Sequence, residues 1–346
     1  MAEPVEQTAR IESIDVLRGF ALLGILLLNI CLFGLHSAGY FNPLVPPGET
    51  VADRELNVRV WGAVSVLFEG AMRALFSMLF GAGVVLFTTG RANARSLHFR
   101  RNLWLLAFGL VDTFLFLWTG DILMVYAVCG VFLYSYRNRS PRRLVITSAV
   151  LIVLMGGILG GAGWGMEQLR IAEDAAWTDF EVQNTPPVEA YEAELAERRE
   201  SYPSAFIWTA DHMVGVVFSY LFLVPDALAM MILGMALFKV GAFDASRPIG
   251  WYATLAAVGF GVGLVTNLWE LRQALVSDLD LLATFPIFVP TYHLGRLGMA
   301  LGYLGLVMIV CKCGALPRLR GAFAAVGRMA LTNYLMHSLI CLVLFT

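Results

Sequence analysis

The sequence predicts an all-α protein, a polytopic transmembrane helical bundle with about nine spans plus one interfacial or re-entrant helix. Three observations support this fold class. Of the 346 residues, 58% are hydrophobic and 14% are charged, whereas about 25% of the residues in a globular domain are charged. Apolar stretches of bilayer length recur with short connections, and arginine clusters alternate with acidic segments. Residues 1–346 are therefore predicted to form a single integral-membrane domain.

The first span is predicted at residues 10–35, RIESIDVLRGFALLGILLLNICLFGL. A charged flank containing Asp15 and Arg18 leads into an apolar stretch that is interrupted by Asn29. With its flank, the stretch is long enough to cross a bilayer. A cleavable signal peptide is the alternative interpretation, but no small-residue cleavage site follows. We therefore expect a transmembrane helix that carries its own polar groups.

The arginine distribution predicts the orientation. Two connections contain arginines and no acidic residue, namely Arg91, Arg95, Arg100 and Arg101 in one and Arg137, Arg139, Arg142 and Arg143 in the other. Cytoplasmic loops of membrane proteins carry an excess of Lys and Arg. Both connections and the N-terminus are therefore predicted to be cytoplasmic. The acidic loop 166–205 is predicted to be external, with a surface helix at 189–200.

The other spans follow from the remaining apolar stretches, at residues 61–89, 102–118, 121–136, 144–165, 223–240, 250–268, 292–311 and 324–345. Residues 206–222 are interpreted as the interfacial or re-entrant helix, because the charge pattern requires 206–240 to cross only once. The C-terminus is then external. The chain ends at Thr346 while still apolar, and a truncated sequence is one interpretation of this ending.

Several classes of site are not indicated by the sequence. The cysteines form no disulfide framework, and Cys311 with Cys313 lacks the spacing of a zinc pair, so no metal is predicted. No motif for nucleotide hydrolysis or nucleic-acid binding occurs. The arginine clusters are interpreted as signals of membrane topology, so the predicted partner of the surface is the lipid bilayer.

Charged residues inside the spans are the first candidates for function, because each costs at least about 2.5 kcal/mol on insertion scales. Glu69 and Arg73 are four residues apart, which predicts an ion pair on one helical face. That pair is either a structural neutralisation or part of a polar cavity. Asp112 lies about 15 Å along the third span from its cytoplasmic end. It has no local cation, so it must be protonated, paired across helices or in contact with water.

Further polar residues map to the outer half of the bundle. Asp121 is expected in an external turn, where it would cap the following helix, and Asp226 is expected to act in the same way. Asn333 and His337 share a helical face. His293 and Arg296 lie about one turn apart, an arrangement suited to binding an anionic group or to snorkelling.

These residues predict one polar cavity that opens outward and has a cationic inner mouth. Its outer part would contain Asn29, His36, Glu69, Asp112, Asp121, His293 and His337. Arg18 and Arg328 would form the mouth near the inner face.

Five stretches carry a family resemblance. They are IDVLRGFALLGILLLNI (14–30), AGYFNP (38–43), FEGAMRALFSMLFGAG (68–83), GDILMVYAVCG (120–130) and RMALTNYLMHSLI (328–340). In this order and spacing they resemble the YeiB family of bacterial inner-membrane proteins, whose domain has no known function. The resemblance implies a multi-pass protein of the bacterial inner (plasma) membrane.

The YeiB family is similar in turn to the heparan-glucosaminide acetyltransferases and the acyltransferase-3 membrane proteins, which share an opening like Arg18-Gly19-Phe20. In the acyltransferase-3 pattern a catalytic His follows the Arg after ten residues. Asn29 occupies that position here, so this base is missing. The heparan-type enzymes also have Asn there, with the catalytic His a few residues beyond the span, where His36 is the comparable residue.

The leading hypothesis is a membrane-bound O- or N-acyltransferase that moves an acyl group from acetyl-CoA or another acyl-CoA in the cytoplasm to an acceptor in the envelope, such as a glycan. Arg18 and Arg328 would hold the donor phosphates. His36 or His337 would be the general base. Glu69 and Asp112 would orient or charge-balance the base. The predicted substrate contacts are Asn29, Asp121, His293, Arg296 and Asn333. A proton- or solute-transporting protein and a structural membrane protein are the alternatives.

Overall fold

The computed structural model of the protein describes residues 11–35, 38–44, 51–184 and 186–345. The regular elements in these ranges are α-helices, as predicted. They are α1 (Glu12–Gly34), α2 (Ala38–Phe41), α3 (Val51–Phe68), α4 (Ala71–Thr88), α5 (Ala94–Phe114), α6 (Leu123–Tyr136), α7 (Pro141–Ile171), α8 (Ala175–Asn184), α9 (Val188–Glu200), α10 (Tyr202–Lys239), α11 (Ile249–Val276), α12 (Leu281–Lys312), α13 (Pro317–Arg328) and α14 (Ala330–Phe345).

Within the described residues, 6 helical segments are long and apolar enough to cross a membrane, and 7 if α13 and α14 form one bent span. The 6 segments are Glu12–Gly34, Ala52–Thr88, Pro141–Ile171, Tyr202–Lys239, Ile249–Val276 and Pro290–Lys312. Helices α5 and α6 occupy two other predicted spans, but α5 begins with arginines and α6 has only 14 residues. The protein is therefore a helical membrane bundle, and the count of nine spans stays a prediction.

Helix α10 corrects the predicted division of residues 206–240. It runs without interruption from Tyr202 to Lys239, with Pro225 inside it. A proline removes one backbone hydrogen bond but does not have to end a helix that its neighbours support. Residues 206–222 therefore belong to a long helix and form no separate interfacial segment. A sharp bend of 82° occurs instead between α13 and α14.

The predicted second span is broken at Glu69 and Gly70, between α3 and α4. Gly70 has φ +63°, and a Cβ placed there would lie 2.6 Å from the Tyr292 hydroxyl and 3.0 Å from Arg296 Cδ. Only glycine combines this backbone conformation with such close neighbours at low cost. Glu69 therefore lies just before the first turn of α4.

One end of the bundle contains the segments that the arginine pattern places in the cytoplasm, and we call it the arginine-rich end. Lys239 Nζ donates hydrogen bonds to the carbonyl oxygens of Arg137 and Arg139, at 2.6 and 2.7 Å. Ser13 Oγ donates to the carbonyl oxygen of Phe243, at 2.6 Å. The start of α1, the end of α6 and the end of α10 therefore lie on one side, as the charge pattern predicts.

The opposite end contains α8 and α9, and we call it the acidic-loop end. The predicted surface helix at 189–200 is present as α9. Arg199 Nη2 donates to the carbonyl oxygen of Gly34, at 2.7 Å, and Arg198 Nη1 donates to that of Leu35, at 3.2 Å. These carbonyls end α1, so α9 caps the first span. Burial among these groups lowers the pKa of Arg198 from its usual value.

Close helix crossings hold the centre of the bundle together. A Cβ at Gly81 would overlap the backbone of Met231, and a Cβ at Gly234 would overlap the backbone of Met78, so α4 and α10 pack through small residues. Helices α1 and α13 meet in the same way, because Gly19 and Gly327 face each other's helix. These crossings position the polar residues described next.

Candidate functional site

Arg18 and Asn29 lie on the same face of α1. Eleven residues separate them, which places them about 20° apart around the axis and about 16 Å apart along it. Arg18 Nη1 is 3.4 Å from Asp15 Oδ1, and the Arg18 side chain remains 28% exposed near the arginine-rich end. One helical face therefore connects a cation at one end with an amide in the opposite half of the bundle. We call this strip the helix-1 face.

Arg101 of α5 adds a second cation beside Arg18. A Cβ placed at Gly83 of α4 would lie 3.4 Å from Arg18 Nη2, so Arg18 packs against the stretch of α4 that also contacts Arg101. The Arg101 guanidinium lies 5.7 Å from the ring centre of Phe80 and 5.6 Å from that of Phe87, which holds its position. Because two cations from different helices lie against the same stretch of α4, this end of the helix-1 face is suited to binding an anion.

Asp112 and Asp121 form a buried carboxylate cluster together with Trp118, Tyr334 and Ser338. Asp112 is fully buried, and Asp121 and Ser338 are its polar neighbours. Neither Asp112 oxygen accepts a hydrogen bond of normal geometry from the described residues. Asp112 was expected to be protonated, paired across helices or in contact with water. In the structure it lies buried beside a second acid and makes no ion pair with a cation among the described residues.

Asp121 caps α6, as predicted. Its carboxylate accepts hydrogen bonds from the backbone N–H groups of Leu123, at 3.0 Å, and Met124, at 2.9 Å. The expectation that Asp121 lies at the surface is wrong, since the residue is 1% exposed. Tyr334 of α14 covers it, because the Tyr334 hydroxyl accepts hydrogen bonds from Ile122 N, at 3.2 Å, and from Trp118 Nε1, at 3.3 Å.

A small cavity lies against the carboxylate cluster. Its volume is about 10 Å³, and its lining includes Asn29, Phe33, Trp118, His337 and Ser338. A cavity of this size holds about one water molecule. The rings of Phe33 and Trp118 stack at 3.9 Å and form one wall. The cavity therefore joins Asn29 of the helix-1 face to His337 and, through Ser338, to the two carboxylates.

Asp226, His293 and Arg296 belong to a second buried group, which we call the ion cluster. Arg296 donates two hydrogen bonds to Asp226, one of them to Oδ2 at 2.6 Å. Arg296 Nη2 lies 2.7 Å from His293 Nδ1, and that nitrogen is 3.6 Å from Asp226 Oδ1. Asp226 lies in the interior of the long helix α10 and pairs with cations from other helices. The expectation that it caps a helix is therefore wrong. Arg296 is 1% exposed, so it does not snorkel.

Arg73 and Glu69 complete the ion cluster. Arg73 Nη2 lies 3.8 Å from Asp226 Oδ2 and donates to the Tyr292 hydroxyl, at 2.7 Å. Glu69 accepts from Tyr292, at 3.4 Å, and from the Tyr40 hydroxyl. The predicted ion pair between Glu69 and Arg73 on one helical face is wrong, because the break at Gly70 separates them and Tyr292 bridges them instead.

The predicted single cavity is divided into two groups. Glu69, His293 and Arg296 belong to the ion cluster, whereas Asn29, Asp112, Asp121 and His337 gather around the carboxylate cluster. No hydrogen bond or ion pair between described residues joins the two. The remaining predicted site residues lie elsewhere.

Asn333 donates to the carbonyl oxygen of Val326, at 3.0 Å, and so stabilises the bend between α13 and α14. Arg328 is exposed at the end of α13, the helix that contacts α1 beside Arg18. His36, the base expected from the family resemblance, lies outside the described residues. Its role stays a prediction.

Two groups of residues that contact the site were not predicted from the sequence. Tyr334 and Trp118 were not among the predicted site residues. The tyrosine directly after Asn333 could have indicated a buried hydrogen bond, because a buried Tyr hydroxyl usually has a partner. Arg101 was treated only as a signal of topology. Among the described residues, no three His, Cys, Asp or Glu side chains are grouped as metal ligands would be.

Known proteins resemble the chain along most of its length. A family model described as "Protein of unknown function (DUF418)" matches residues 237–346. The chain is 31% identical over 343 residues to the "Uncharacterized protein YeiB" of Escherichia coli (strain K12), with 96% of this chain and 83% of that protein covered.

Two further relatives are also described as uncharacterised. The "Uncharacterized protein YxaH" of Bacillus subtilis (strain 168) is 25% identical over 361 residues, which cover 99% of this chain and 83% of that protein. An "Uncharacterized 39.9 kDa protein in amylase 3'region" of Bacillus acidopullulyticus is 35% identical over 158 residues, 44% of this chain and 41% of that protein. No solved structure matches the chain.

Proposed function

This chain belongs to the YeiB family, whose members are multi-pass membrane proteins of unknown function, and on that premise we propose that it is a membrane acyltransferase. The donor is an acyl thioester that carries phosphate groups, of the acetyl-CoA type. One observation carries the proposal. The helix-1 face begins where Arg18 and Arg101 pack against α4 at the arginine-rich end, and it ends at a small cavity lined by Asn29 and His337.

The donor end is suited to phosphates. Guanidinium groups bind phosphate oxygens through paired hydrogen bonds. Arg18 of α1 and Arg101 of α5 both pack against residues 80–87 of α4, and Arg18 also pairs with Asp15.

The separation between the two ends fits a donor with a long arm. Arg18 and Asn29 are about 16 Å apart along α1. A coenzyme A thioester carries its phosphates and its reactive carbonyl at opposite ends of a flexible chain. If the phosphates bind at Arg18, the arm follows the helix-1 face and the thioester carbonyl reaches Asn29. Leu22 and Ile25 lie along this face and are buried, so donor binding has to displace them.

The far end supplies the groups that acyl transfer requires. A hydroxyl or amine of the acceptor attacks the thioester carbonyl, the new acyl bond forms, the C–S bond breaks and the thiolate leaves. His337 accepts the proton that the acceptor loses, as general base, and returns it to the thiolate. The Asn29 amide donates a hydrogen bond to the oxyanion that forms. The acid pair Asp112 and Asp121 balances the positive charge that develops on His337.

Acceptor entry requires movement, because the cavity holds about one water molecule. The stacked rings of Phe33 and Trp118 form the wall nearest the end of α1, which lies at the acidic-loop end. Separation of these rings opens the cavity toward that end. The acceptor therefore approaches from the side opposite the donor, which suits an envelope acceptor such as a glycan and a protein of the inner membrane with a cytoplasmic N-terminus.

The test uses the full chain, purified in detergent, and measures its thermal unfolding with and without acetyl-CoA. We expect acetyl-CoA to raise the unfolding temperature of the wild type and to lose that effect in Arg18→Ala and Arg101→Ala. Arg142→Ala removes a charge from the same end and is the control, which should keep the effect. No response in the wild type would overturn the donor assignment, and equal responses in all variants would overturn the role of Arg18.

The ion cluster favours a second candidate function, proton or solute transport. Three of its buried nitrogens, Arg73 Nε, Arg296 Nε and His293 Nε2, have no hydrogen-bond partner within the described residues. Intramembrane charged groups with unsatisfied donors often mark an ion or solute path. Proteoliposomes loaded with a pH-sensitive dye test this candidate. Proton flux that disappears in Asp226→Asn supports transport, whereas the absence of flux in the wild type excludes proton transport.

A further inference from the structure

An open cleft lies at the arginine-rich end between α4, α5 and α6. Its volume is about 770 Å³, which is within the range of small-molecule sites, about 300 to 1,000 Å³. Residues 88–96 form one side, and Phe99, Tyr134, Arg137 and Asn138 form the other. This cleft contains neither the carboxylate cluster nor the ion cluster.

The lining of the cleft is cationic. Arg91, Arg95 and Arg137 contribute three guanidinium groups, and the other polar lining residues are the neutral Thr88, Thr89, Asn93, Ser96 and Asn138. No acidic residue lines the cleft. An anion that enters therefore meets several hydrogen-bond donors and no repelling carboxylate.

Two of the arginines are held in place by aromatic rings. The Arg137 guanidinium lies 3.6 Å from the ring centre of Tyr134, and its Nη1 donates to the Tyr134 carbonyl oxygen, at 2.7 Å. The Arg91 guanidinium lies 4.4 Å from the ring centre of Phe87. Side chains that are already ordered lose less conformational entropy on binding a ligand.

The start of α5 faces the same cleft. Asn93 precedes the helix and makes no capping hydrogen bond with its side chain. The backbone N–H groups of the first turn, including those of Arg95 and Ser96, have no acceptor within the helix. This helix terminus adds to the attraction that the three arginines exert on an anion.

We propose that this cleft binds the phosphate of an anionic phospholipid from the adjoining leaflet. The source follows from the position of the cleft, at the ends of apolar helices. Leu103 of α5 and Val131 of α6 lie about one turn from the cleft-lining Phe99 and Tyr134, toward the middle of their helices, and are 66% and 51% exposed. A lipid whose headgroup occupies the cleft can therefore lay its acyl chains against apolar side chains of the same helices.

The positions of the arginines separate this proposal from a simple topology signal. Arg139, Arg142 and Arg143 lie at the same end and would serve orientation equally well, but they do not line the cleft. A site requires the three cleft arginines in particular. Orientation requires only the total charge. The two sets therefore provide matched triple variants with the same loss of charge.

The experiment measures lipid binding to the full chain in detergent by native mass spectrometry, with phosphatidylglycerol and phosphatidylcholine as probes. We expect the wild type to bind phosphatidylglycerol at least about tenfold more tightly than phosphatidylcholine, because each basic residue near a membrane surface attracts anionic lipid. The triple variant Arg91→Gln, Arg95→Gln, Arg137→Gln should lose this preference. The triple variant Arg139→Gln, Arg142→Gln, Arg143→Gln should keep it.

Three results would overturn the proposal. Equal binding of both lipids by the wild type shows that the cleft does not select an anionic headgroup. Equal loss in both triple variants shows that total charge is responsible. Displacement of phosphatidylglycerol by inorganic phosphate or acetyl-CoA shows that the cleft takes soluble phosphates. Because a triple variant can fail to fold, Arg137→Lys provides a second route. It keeps the charge but loses the planar fork, and we expect it to weaken phosphatidylglycerol binding in a protein with wild-type unfolding temperature.

Discussion

The two buried polar groups of the bundle differ in how their charges are satisfied. In the ion cluster, Asp226 contacts the guanidinium groups of Arg296 and Arg73, so acid and base lie side by side. In the carboxylate cluster, Asp112 lies beside a second acid, Asp121, and no ion pair with a described cation offsets either. Both groups are shielded from solvent, but only the first is balanced by its own protein partners.

This difference distinguishes buried charges that stabilise the fold from buried charges that serve an activity. A cluster of paired charges can persist in hydrocarbon because its members neutralise one another. Removal of one member leaves the other buried without compensation for its desolvation. An acid pair without a cation has no such structural reason. It needs a proton, a water molecule or a ligand. We therefore expect ion-cluster variants to lose stability and carboxylate-cluster variants to lose activity.

The largest expected effect is on stability in the ion cluster. Arg296→Met leaves Asp226 buried without its main partner, and we expect a loss of about 3 to 5 kcal/mol in the free energy of unfolding. Denaturant unfolding of the purified protein measures it. The double variant Arg296→Met, Asp226→Leu should recover most of the loss, because it removes both charges. Arg59→Ala, in the exposed pair with Glu55, is the control and should change stability by less than about 1 kcal/mol.

Asp112→Asn tests the other side of the comparison. Asparagine has the same shape and no charge, so we expect stability to change by less than about 1 kcal/mol. Acyl transfer from acetyl-CoA should fall by roughly 100-fold, because asparagine cannot release a proton and so cannot become the carboxylate that balances the charge on the base. Radiolabelled acetyl-CoA and unfolding measurements on the same sample provide both values. A variant that unfolds as readily as Arg296→Met would remove the distinction between the clusters.

Tyr334→Phe is expected to have an intermediate effect, since the tyrosine supports the carboxylate cluster without carrying charge. Its hydroxyl accepts from Ile122 N and Trp118 Nε1. Loss of the hydroxyl leaves two buried donors without an acceptor, so we expect a cost of about 1 to 3 kcal/mol. Thermal unfolding measures it. Tyr202→Phe, which removes one hydroxyl at an exposed position, is the control with little expected change.

The smallest expected effect on stability is at the acidic-loop end. There, arginine side chains donate hydrogen bonds to carbonyl oxygens at the end of a helix, and neither buried cluster is involved. Arg199→Ala removes the hydrogen bond to the Gly34 carbonyl oxygen at the end of α1. We expect a loss of about 0.5 to 1 kcal/mol, because a cation near a helix C-terminus contributes about that much. Hydrogen exchange of the last turn of α1 should rise in this variant. Unchanged exchange would show that α9 does not cap the first span.

Local features were predictable where the interacting residues are close in sequence. Asp121 caps α6 because a carboxylate accepts hydrogen bonds from backbone N–H groups two and three residues further on, which a turn before an apolar stretch already indicates. The ion pair between Glu69 and Arg73 was predicted from spacing alone. It failed because Gly70 breaks the helix, and a left-handed glycine is not distinguishable in sequence from the many glycines that lie within helices here.

Contacts between helices were not predictable in this way. Asp226 and Arg296 are 70 positions apart, and nothing in either local stretch identifies the other as its partner. The same holds for Tyr334, which reaches Trp118 from α14. The predicted single cavity failed for this reason, since the number of polar residues in the spans does not indicate how many groups they form.

By itself the sequence determined that the chain forms membrane helices, that two arginine clusters without acidic residues lie at one end of them, and that several charged residues lie inside the apolar stretches. These properties depend on hydropathy, charge and helical period, which act over a few residues. Only the tertiary structure decided that the charges divide into a balanced ion cluster and an unbalanced carboxylate cluster. The division depends on which helices cross and at what depth, and close packing through residues such as Gly81 and Gly234 sets those crossings.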